Sequence, residues 1–393
     1  MTTNPGSLRR YLRNVTEVCI ITTILLASNS AQLLAQGSVF DVADKVIDLF
    51  SGEIPRKPSK PPLRWVVAPF AGYSPETSWQ FGIGGKLLFP PSADSTRTSF
   101  IAVSVRYTLE NQIITTPEYT IFSSHERYIH RGELAFRKFP QFYYGIGNAS
   151  PETNEELFSF TELGVEHLTY RRVHQQLYAG LGFRYTETYD IDLDPDGALS
   201  SEGLRGAEPY RAVGFDVGVM LDNRNNVLNT TSGMLAEFRQ RIHRKALGSD
   251  FDYSVGVLDV RNYWKPFTRR DDIVAVQLFG YFSQGETPFI ELATLGGDMI
   301  MRGYYEGRYR DNNLLAAQAE YRWHIWENFG AVGFIGFGDV ASKFNEFSLP
   351  DLKPSVGAGL RYALIPEENL NVRLDFAVGK GTTNFYINIA EAF

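Results

Sequence analysis

The sequence predicts an all-β chain: a transmembrane antiparallel β-barrel of about sixteen strands, with a short amphipathic helix ahead of it. Three observations predict it. From residue 64 to the end, segments of roughly ten to fourteen residues alternate apolar with polar side chains, the period of a strand with two unlike faces. The longest connections all follow odd-numbered strands, as in bacterial barrels with short periplasmic turns and long extracellular loops. The chain then ends on an alternating stretch, FYINIAEAF, closed by Phe393. A barrel in lipid must close on itself, because an open edge leaves backbone N–H and C=O groups without partners.

Residues 1–35 read as a secretory signal peptide. Arg9, Arg10 and Arg13 make its basic region, 19–27 its apolar core, and Leu33-Leu34-Ala35 before Gln36 its cleavage site. That core is too short to cross a bilayer. Cys19 is the only cysteine, which excludes a disulfide framework or a cysteine metal site, and the residues before it do not make a lipoprotein box. Residues 36–63 read as a periplasmic amphipathic helix and a proline-rich tether. The helix, over 38–50, sets Phe40, Ala43, Val46, Ile47 and Phe50 on one face; it either packs near the barrel mouth or docks a partner. The tether over 54–62, IPRKPSKPP, is extended. A formal charge of −7 is no footprint for nucleic acid, which calls for clustered Lys and Arg.

Residues 64–393 are the expected barrel. Alternation and turn residues place strands at 64–73, 78–89, 98–108, 112–122, 127–139, 157–171, 175–187, 209–221, 232–244, 251–265, 272–284, 313–326, 329–339, 353–364, 370–379 and 384–393. In the third, Ile101, Val103, Val105 and Tyr107 face one way, and Ala102, Ser104 and Arg106 the other. In the seventh, Leu177, Ala179, Leu181, Phe183 and Tyr185 oppose Gln176, Gly180, Gly182, Arg184 and Thr186. In the ninth, Glu237, Arg239, Arg241 and His243 oppose Ala236, Phe238 and Ile242. In the twelfth, Leu315, Ala317, Ala319, Tyr321, Trp323 and Ile325 oppose Ala316, Gln318, Glu320 and Arg322. A soluble sandwich has little reason to line Arg and Glu along one face and Tyr, Phe and Trp along the other. A barrel with lipid outside and a wet lumen inside requires it. The connections 140–156, 188–208, 285–312 and 340–352 gather at one rim, and an even strand number suits closure.

The stretch 296–313, GGDMIMRGYYEGRYRDNN, is too long for an ordinary hairpin, and connections of that length are functional or disordered. It sets Arg302, Arg308 and Arg310 against Asp298, Glu306 and Asp311. Within it, Met301-Arg302-Gly303-Tyr304 resembles the Val/Ile-Arg-Gly-Phe/Tyr motif of the BamA/TamA superfamily, the bacterial surface antigen type of outer-membrane assembly barrel. Asp222, Arg224, Asn226 and Gly233 resemble that family's periplasmic turn, with Thr230 or Thr231 where proline is commoner. Gly336-Phe337-Gly338-Asp339-Val340 resembles its strand-thirteen motif, with Ala341 in place of a glycine. The terminal stretch ending at Phe393 resembles the signal by which such barrels are recognised for insertion.

The resemblance implies a loop that folds back into the lumen. Arg302 would be held there by carboxylates on strands twelve and thirteen, here Glu320 and Asp339, with Gly303 and Tyr304 completing the lock. Alternation independently sets Glu320 on the lumen face with Gln318 and Arg322, but leaves Asp339 open. An arginine fork suits carboxylates; the plain alternative is a solvated loop arginine. The resemblance also implies a Gram-negative outer membrane as the location. It suggests an accessory subunit of outer-membrane biogenesis, assisting insertion, assembly or translocation through a weakly closed seam of 64–73 against 384–393. Its partners would be the lipid bilayer and other outer-membrane assembly or surface proteins. Residues 36–63 leave no room for the repeated periplasmic domains of members that feed clients to the barrel. A reading from another class is a passive pore, or a structural or anchor subunit of an outer-membrane complex.

Asp192, Asp194 and Asp196, followed by Gly197, have the spacing of a calcium loop. The glutamate such a loop has at its twelfth position is replaced by Gly203, and an acidic extracellular loop accounts for the same residues. No other cofactor is suggested, and no enzyme. There is no Gly-x-Ser-x-Gly elbow, no His-Glu-x-x-His and no phosphate loop.

Overall fold

The computed structural model describes residues 51–54, 63–90, 97–227, 229–326, 328–365 and 370–393. The signal peptide expected at 1–35, the helix expected at 38–50 and tether residues 55–62 lie outside the described residues. Ser51–Ile54 is a short strand. Among the described residues, no helix is long and apolar enough to cross a membrane; the crossing is made by strands.

The barrel is closed, antiparallel and sixteen-stranded. Its strands are β1 Leu63–Ser74, β2 Ser78–Phe89, β3 Ser99–Thr108, β4 in two pieces (Ile113–Thr115 and Glu118–Phe122), β5 Tyr128–Lys138, β6 Glu156–His174, β7 Leu177–Asp192 and β8 Tyr210–Asp222. They continue as β9 Gly233–His243, β10 Tyr253–Trp264, β11 Ile273–Gly285, β12 Asn313–Trp326, β13 Phe329–Ala341, β14 Lys353–Ile365, β15 Leu370–Val378 and β16 Thr383–Ile389. Each pairs with its neighbours in chain order. The faces follow the period of two. On β8, Phe215, Val217 and Val219 are exposed to the outside, whereas Ala212, Asp216 and Met220 are buried inside. On β12, Gln318, Glu320 and Arg322 are buried, and Tyr321 and Trp323 face out.

Three strands depart from the alternation reading, each for a physical reason. β4 breaks at Thr116 and Pro117, because proline has no N–H for the ladder; the Pro117 carbonyl still accepts from Leu134 N–H at 2.8 Å. β7 runs past its expected end to Asp192, still paired with β6 as far as Ser159, and reaches the extracellular rim. Tyr143, Phe158, Phe160, Leu199, Phe289 and Leu292 pack there into an apolar cap. β16 stops short of Phe393, at Ile389.

The lumen is filled in two ways. Around β4 to β9, the wall supplies its own filling: Phe122, Ile129, Leu168, Tyr170, Tyr178, Met220 and Leu235 form one buried cluster. Around β12 and β13, residues of the β11–β12 connection enter. Ala293, Leu295, Met301, Tyr304 and Tyr309 pack with Leu314, Ala316 and Val340 of the wall.

Candidate functional site: the lumen loop and the strand seam

The β11–β12 connection, 286–312, is built as a ribbon with a folded tip. Ala293–Leu295 pairs with Tyr309–Asp311, and Gly147 bridges to Arg310 from the β5–β6 loop. At the tip Met301 has φ 60° and Gly303 φ 108°. A β-carbon at Gly303 would lie 2.9 Å from Gly379 N and from Val378 C. The glycine of the Arg-Gly-Tyr stretch is therefore required twice, by its left-handed backbone and by its closeness to the wall.

These turns deliver Arg302 into a buried charge network. Its Nη1 donates to Asp375 Oδ2 at 2.6 Å and its Nη2 to Glu320 Oε1. The guanidinium lies over the Phe334 ring, 3.6 Å from its centroid. Arg302 is 1% exposed, which excludes the solvated reading. Both carboxylates are shared. Glu320 accepts from Arg322 Nε at 2.9 Å; Asp375 accepts from Arg361 Nη1 at 2.5 Å and Arg373 Nη1 at 3.2 Å. Tyr304 Oη donates to Pro354 O at 2.7 Å and accepts from Lys380 N–H at 2.8 Å.

Asp339 is not a partner of Arg302. It accepts from Lys353 Nζ at 2.8 Å and from Asn148 Nδ2 at 3.2 Å, so it ties β13 to β14 and to the β5–β6 loop. The second carboxylate of the lock comes from β15. Its signal was present in the sequence: Arg373 and Asp375 alternate with Leu374 and Phe376. Which inward carboxylate the loop would reach depends on how deep the loop descends, and alternation does not encode that.

The periplasmic turn residues form a second network. Arg224 Nε donates to Asp222 Oδ1 at 2.9 Å, and Asp222 Oδ2 also accepts from Arg97 Nη1 at 2.7 Å. Arg97 further donates through Nε to Glu126 Oε1 at 3.0 Å. Arg97 thus joins the β2–β3, β4–β5 and β8–β9 turns under the wall-filled half of the lumen, a role that sequence reasoning missed. Asn226 shapes the turn itself, its carbonyl accepting from Thr230 Oγ1 at 2.8 Å. Gly233, at φ 99°, sits where a β-carbon would lie 2.5 Å from Asn223 O.

The seam differs from every other joint. Between β1 and β16 the register holds one pair, Tyr73↔Ile387, beside a stacked Tyr73–Phe385 ring pair at 3.8 Å. Full pairing of 64–73 against 384–393 does not form, because the chain turns inward after Ile389. Ala390 takes φ 75°. Glu391 then accepts from Arg361 Nε and Asn371 Nδ2, both at 2.8 Å, and the Phe393 carbonyl accepts from Arg322 Nη2 at 2.9 Å. Phe393 is buried beside Tyr263. Had the strand continued, Glu391 would have followed Phe385 and Ile389, both lipid-facing, into hydrocarbon, where a carboxylate is costly.

The aspartates do not gather into a metal site: among the described residues, no group of three carboxylate, histidine or cysteine side chains could hold a metal. Asp194 instead closes its own turn, its Oδ1 accepting from Asp196 N–H at 3.0 Å and its carbonyl from Ser200 Oγ at 2.6 Å. Asp192 ends β7.

The Omp85 superfamily domain matches residues 125–393. Among solved structures, BamA from Haemophilus ducreyi lacking POTRA domains 1-3 superposes with a TM-score of 0.54 at 14% identity, over 83% of this chain and 70% of that one. CdiB from Acinetobacter baumannii gives 0.54 at 13% identity, over 84% of this chain and 60% of that one. At such identities the likeness is one of fold. No curated protein matches the chain in sequence. With the family matched over more than half its length, the chain belongs to the Omp85 superfamily and is a transmembrane β-barrel of the bacterial outer membrane.

Proposed function

We propose that this barrel is an accessory subunit of outer-membrane biogenesis that assists insertion or translocation of other outer-membrane proteins at its β1–β16 seam. The observation that carries the reading is the seam itself, where β1 and β16 share the single pair Tyr73↔Ile387, whereas even the interrupted β3–β4 joint holds six. A strand edge in lipid is a template for another strand, and an extended client segment would add to it by main-chain hydrogen bonds. The filled lumen supports the same reading. With Met301 and Tyr304 packed between β12 and β13 and Arg302 buried, the interior is not built as an open channel, and the proposed exit is sideways.

Photo-reactive residues placed at Val67 on β1 and, as control, at Val217 on β8 test this in cells. Both face outward. Adducts with newly made outer-membrane barrel proteins at position 67 and none at 217 support the reading. Equal or absent adducts, together with steady ion conduction by the purified barrel, favour the passive pore instead.

A further inference from the structure

The lumen loop touches both sides of the seam. On the β16 side, Tyr386 Oη accepts from Gly303 N–H at 2.9 Å and Asn384 Nδ2 donates to the Gly303 carbonyl at 2.9 Å. Asn388 Nδ2 donates to Asp298 Oδ2 at 2.6 Å. On the β1 side, the turn between β1 and β2 presents Glu76, whose Oε1 accepts from Glu306 N–H at 2.7 Å. Both sets of contacts flank the one bridge: Glu76 follows Tyr73 by three positions, and Tyr386 and Asn388 bracket Ile387.

We propose that the loop 286–312 is the clasp of the seam, and that the Glu76 carboxyl is its proton-operated catch. Protonated, Glu76 sits buried against the loop and ties β1 to it. Ionised, it lies next to the like charge of Glu306 without a cation of its own, and the β1 side of the clasp lets go.

The surroundings of Glu76 give the catch its direction. Glu76 is 5% exposed, and among the described residues no arginine or lysine forms an ion pair with it. It lines a cavity of about 380 Å³ with Arg106 of β3, Arg137 of β5, Glu162 of β6, and Asp298, Glu306 and Arg310 of the loop. Tyr305 of the loop and Tyr386 of β16 also face it. Arg137 pairs with Glu133 and Glu162, and Arg310 donates to the Phe289 carbonyl at 2.9 Å; Arg106 faces the same cavity, its Nε without a hydrogen-bond partner, and forms no ion pair with Glu76. Burial first, and then the charge of Glu306, push the Glu76 carboxyl from 4.5 up to about 7. The clasped state therefore binds the extra proton between pH 4.5 and about 7. Its grip is greatest below that window, falls as pH rises through it, and is spent above about pH 7.

The test uses the full chain, with Cys19→Ser, purified into nanodiscs without any client. Spin labels at Phe81→Cys on β2 and Phe376→Cys on β15, both lipid-facing, report the distance across the seam. The expected result is one narrow distance at pH 5 and a second, longer population at pH 8, with a midpoint between pH 4.5 and about 7. Glu76→Gln should hold the short distance at both pH values, and Glu306→Gln should lower the midpoint. Arg302→Ala should show the longer distance at both. A distribution that ignores pH in the wild type overturns the catch, as does a pH response that survives Glu76→Gln. An unchanged seam distance in Arg302→Ala, with the loop cut freely by protease, overturns the clasp. Because no client is present, these failures are separate from failure of the client-handling reading.

Discussion

Between β7 and β8 the ladder runs without a gap from Leu177↔Leu221 to Thr188↔Tyr210, whereas β1 and β16 meet at Tyr73↔Ile387. In hydrocarbon each unpaired backbone group is expensive, so a joint with one bridge needs support from elsewhere. The two joints also differ in what lies behind them. Behind β7 and β8 the wall fills the lumen with its own Tyr170, Tyr178 and Met220. Behind the seam stand the tip of a distant loop and a terminal tail turned inward. The comparison teaches that backbone pairing and lumen filling compensate for one another: the wall that is weak in hydrogen bonds is braced by side chains from inside.

The largest way to break that brace is Asp375→Ala. Three guanidiniums, Arg302, Arg361 and Arg373, share this carboxylate, and its loss leaves them facing each other with Glu320, Glu391 and Asp298 as remaining acids. Stripping one partner from a buried pair costs ~3–5 kcal/mol, and this change should reach that range, read as a drop in melting temperature with loss of heat-modifiable folded protein. Arg302→Ala should cost less, because Glu320 keeps Arg322 and Asp375 keeps Arg361 and Arg373. The barrel should stay folded, melt lower and expose 286–312 to protease. Arg302→Lys should rescue only part, since an ammonium cannot span Glu320 and Asp375 and stack on Phe334 at once. In double-mutant cycles, Arg302→Ala should couple with Asp375→Ala and add simply with Asp339→Ala. The reverse pattern would return Asp339 to the lock.

A smaller effect is expected at the seam itself. Tyr73→Ala removes a stacked pair worth about 0.5–1.5 kcal/mol. It should leave the melting temperature nearly unchanged while speeding exchange in β16, and a drop as large as that of Asp375→Ala would mean that the seam is no weaker than the rest. Deleting Phe393 should lower the yield of inserted barrel, measured in membranes, because it removes both the terminal aromatic and the carbonyl that Arg322 holds. The smallest expected effect is none: calcium and chelator should give equal protease cutting of the 193–209 loop, where Asp194 is already used by its own turn. Protection by calcium would contradict the turn geometry.

Much of this was legible in the sequence because a strand's period is short. Two residues suffice to say that Tyr321 faces out and Glu320 in, and the fall of the long loops on odd strands set the rim. What stayed hidden depends on distance through space. Arg302 and Asp375 are joined across the lumen, and no local pattern ranks Asp375 above Asp339. Arg97 looked like one basic residue in a polar turn until three turns met over it. The inward tail did leave a local sign, for Glu391 falls in the lipid-facing parity of Phe385 and Ile389. Read as a charge that lipid would reject, it marks the end of β16.

Hydrogen exchange on the purified barrel in a bilayer reads the brace itself, by comparing amides 384–389 of β16 with amides 213–221 of β8 in the wild type and in Arg302→Ala. Local opening free energies within one fold span from near zero to the global value. β16 should exchange faster than β8 by on the order of tenfold or more, and Arg302→Ala should widen the gap by accelerating β16 alone. Equal protection of the two strands, or an acceleration shared by both in the variant, would contradict a seam held by the loop.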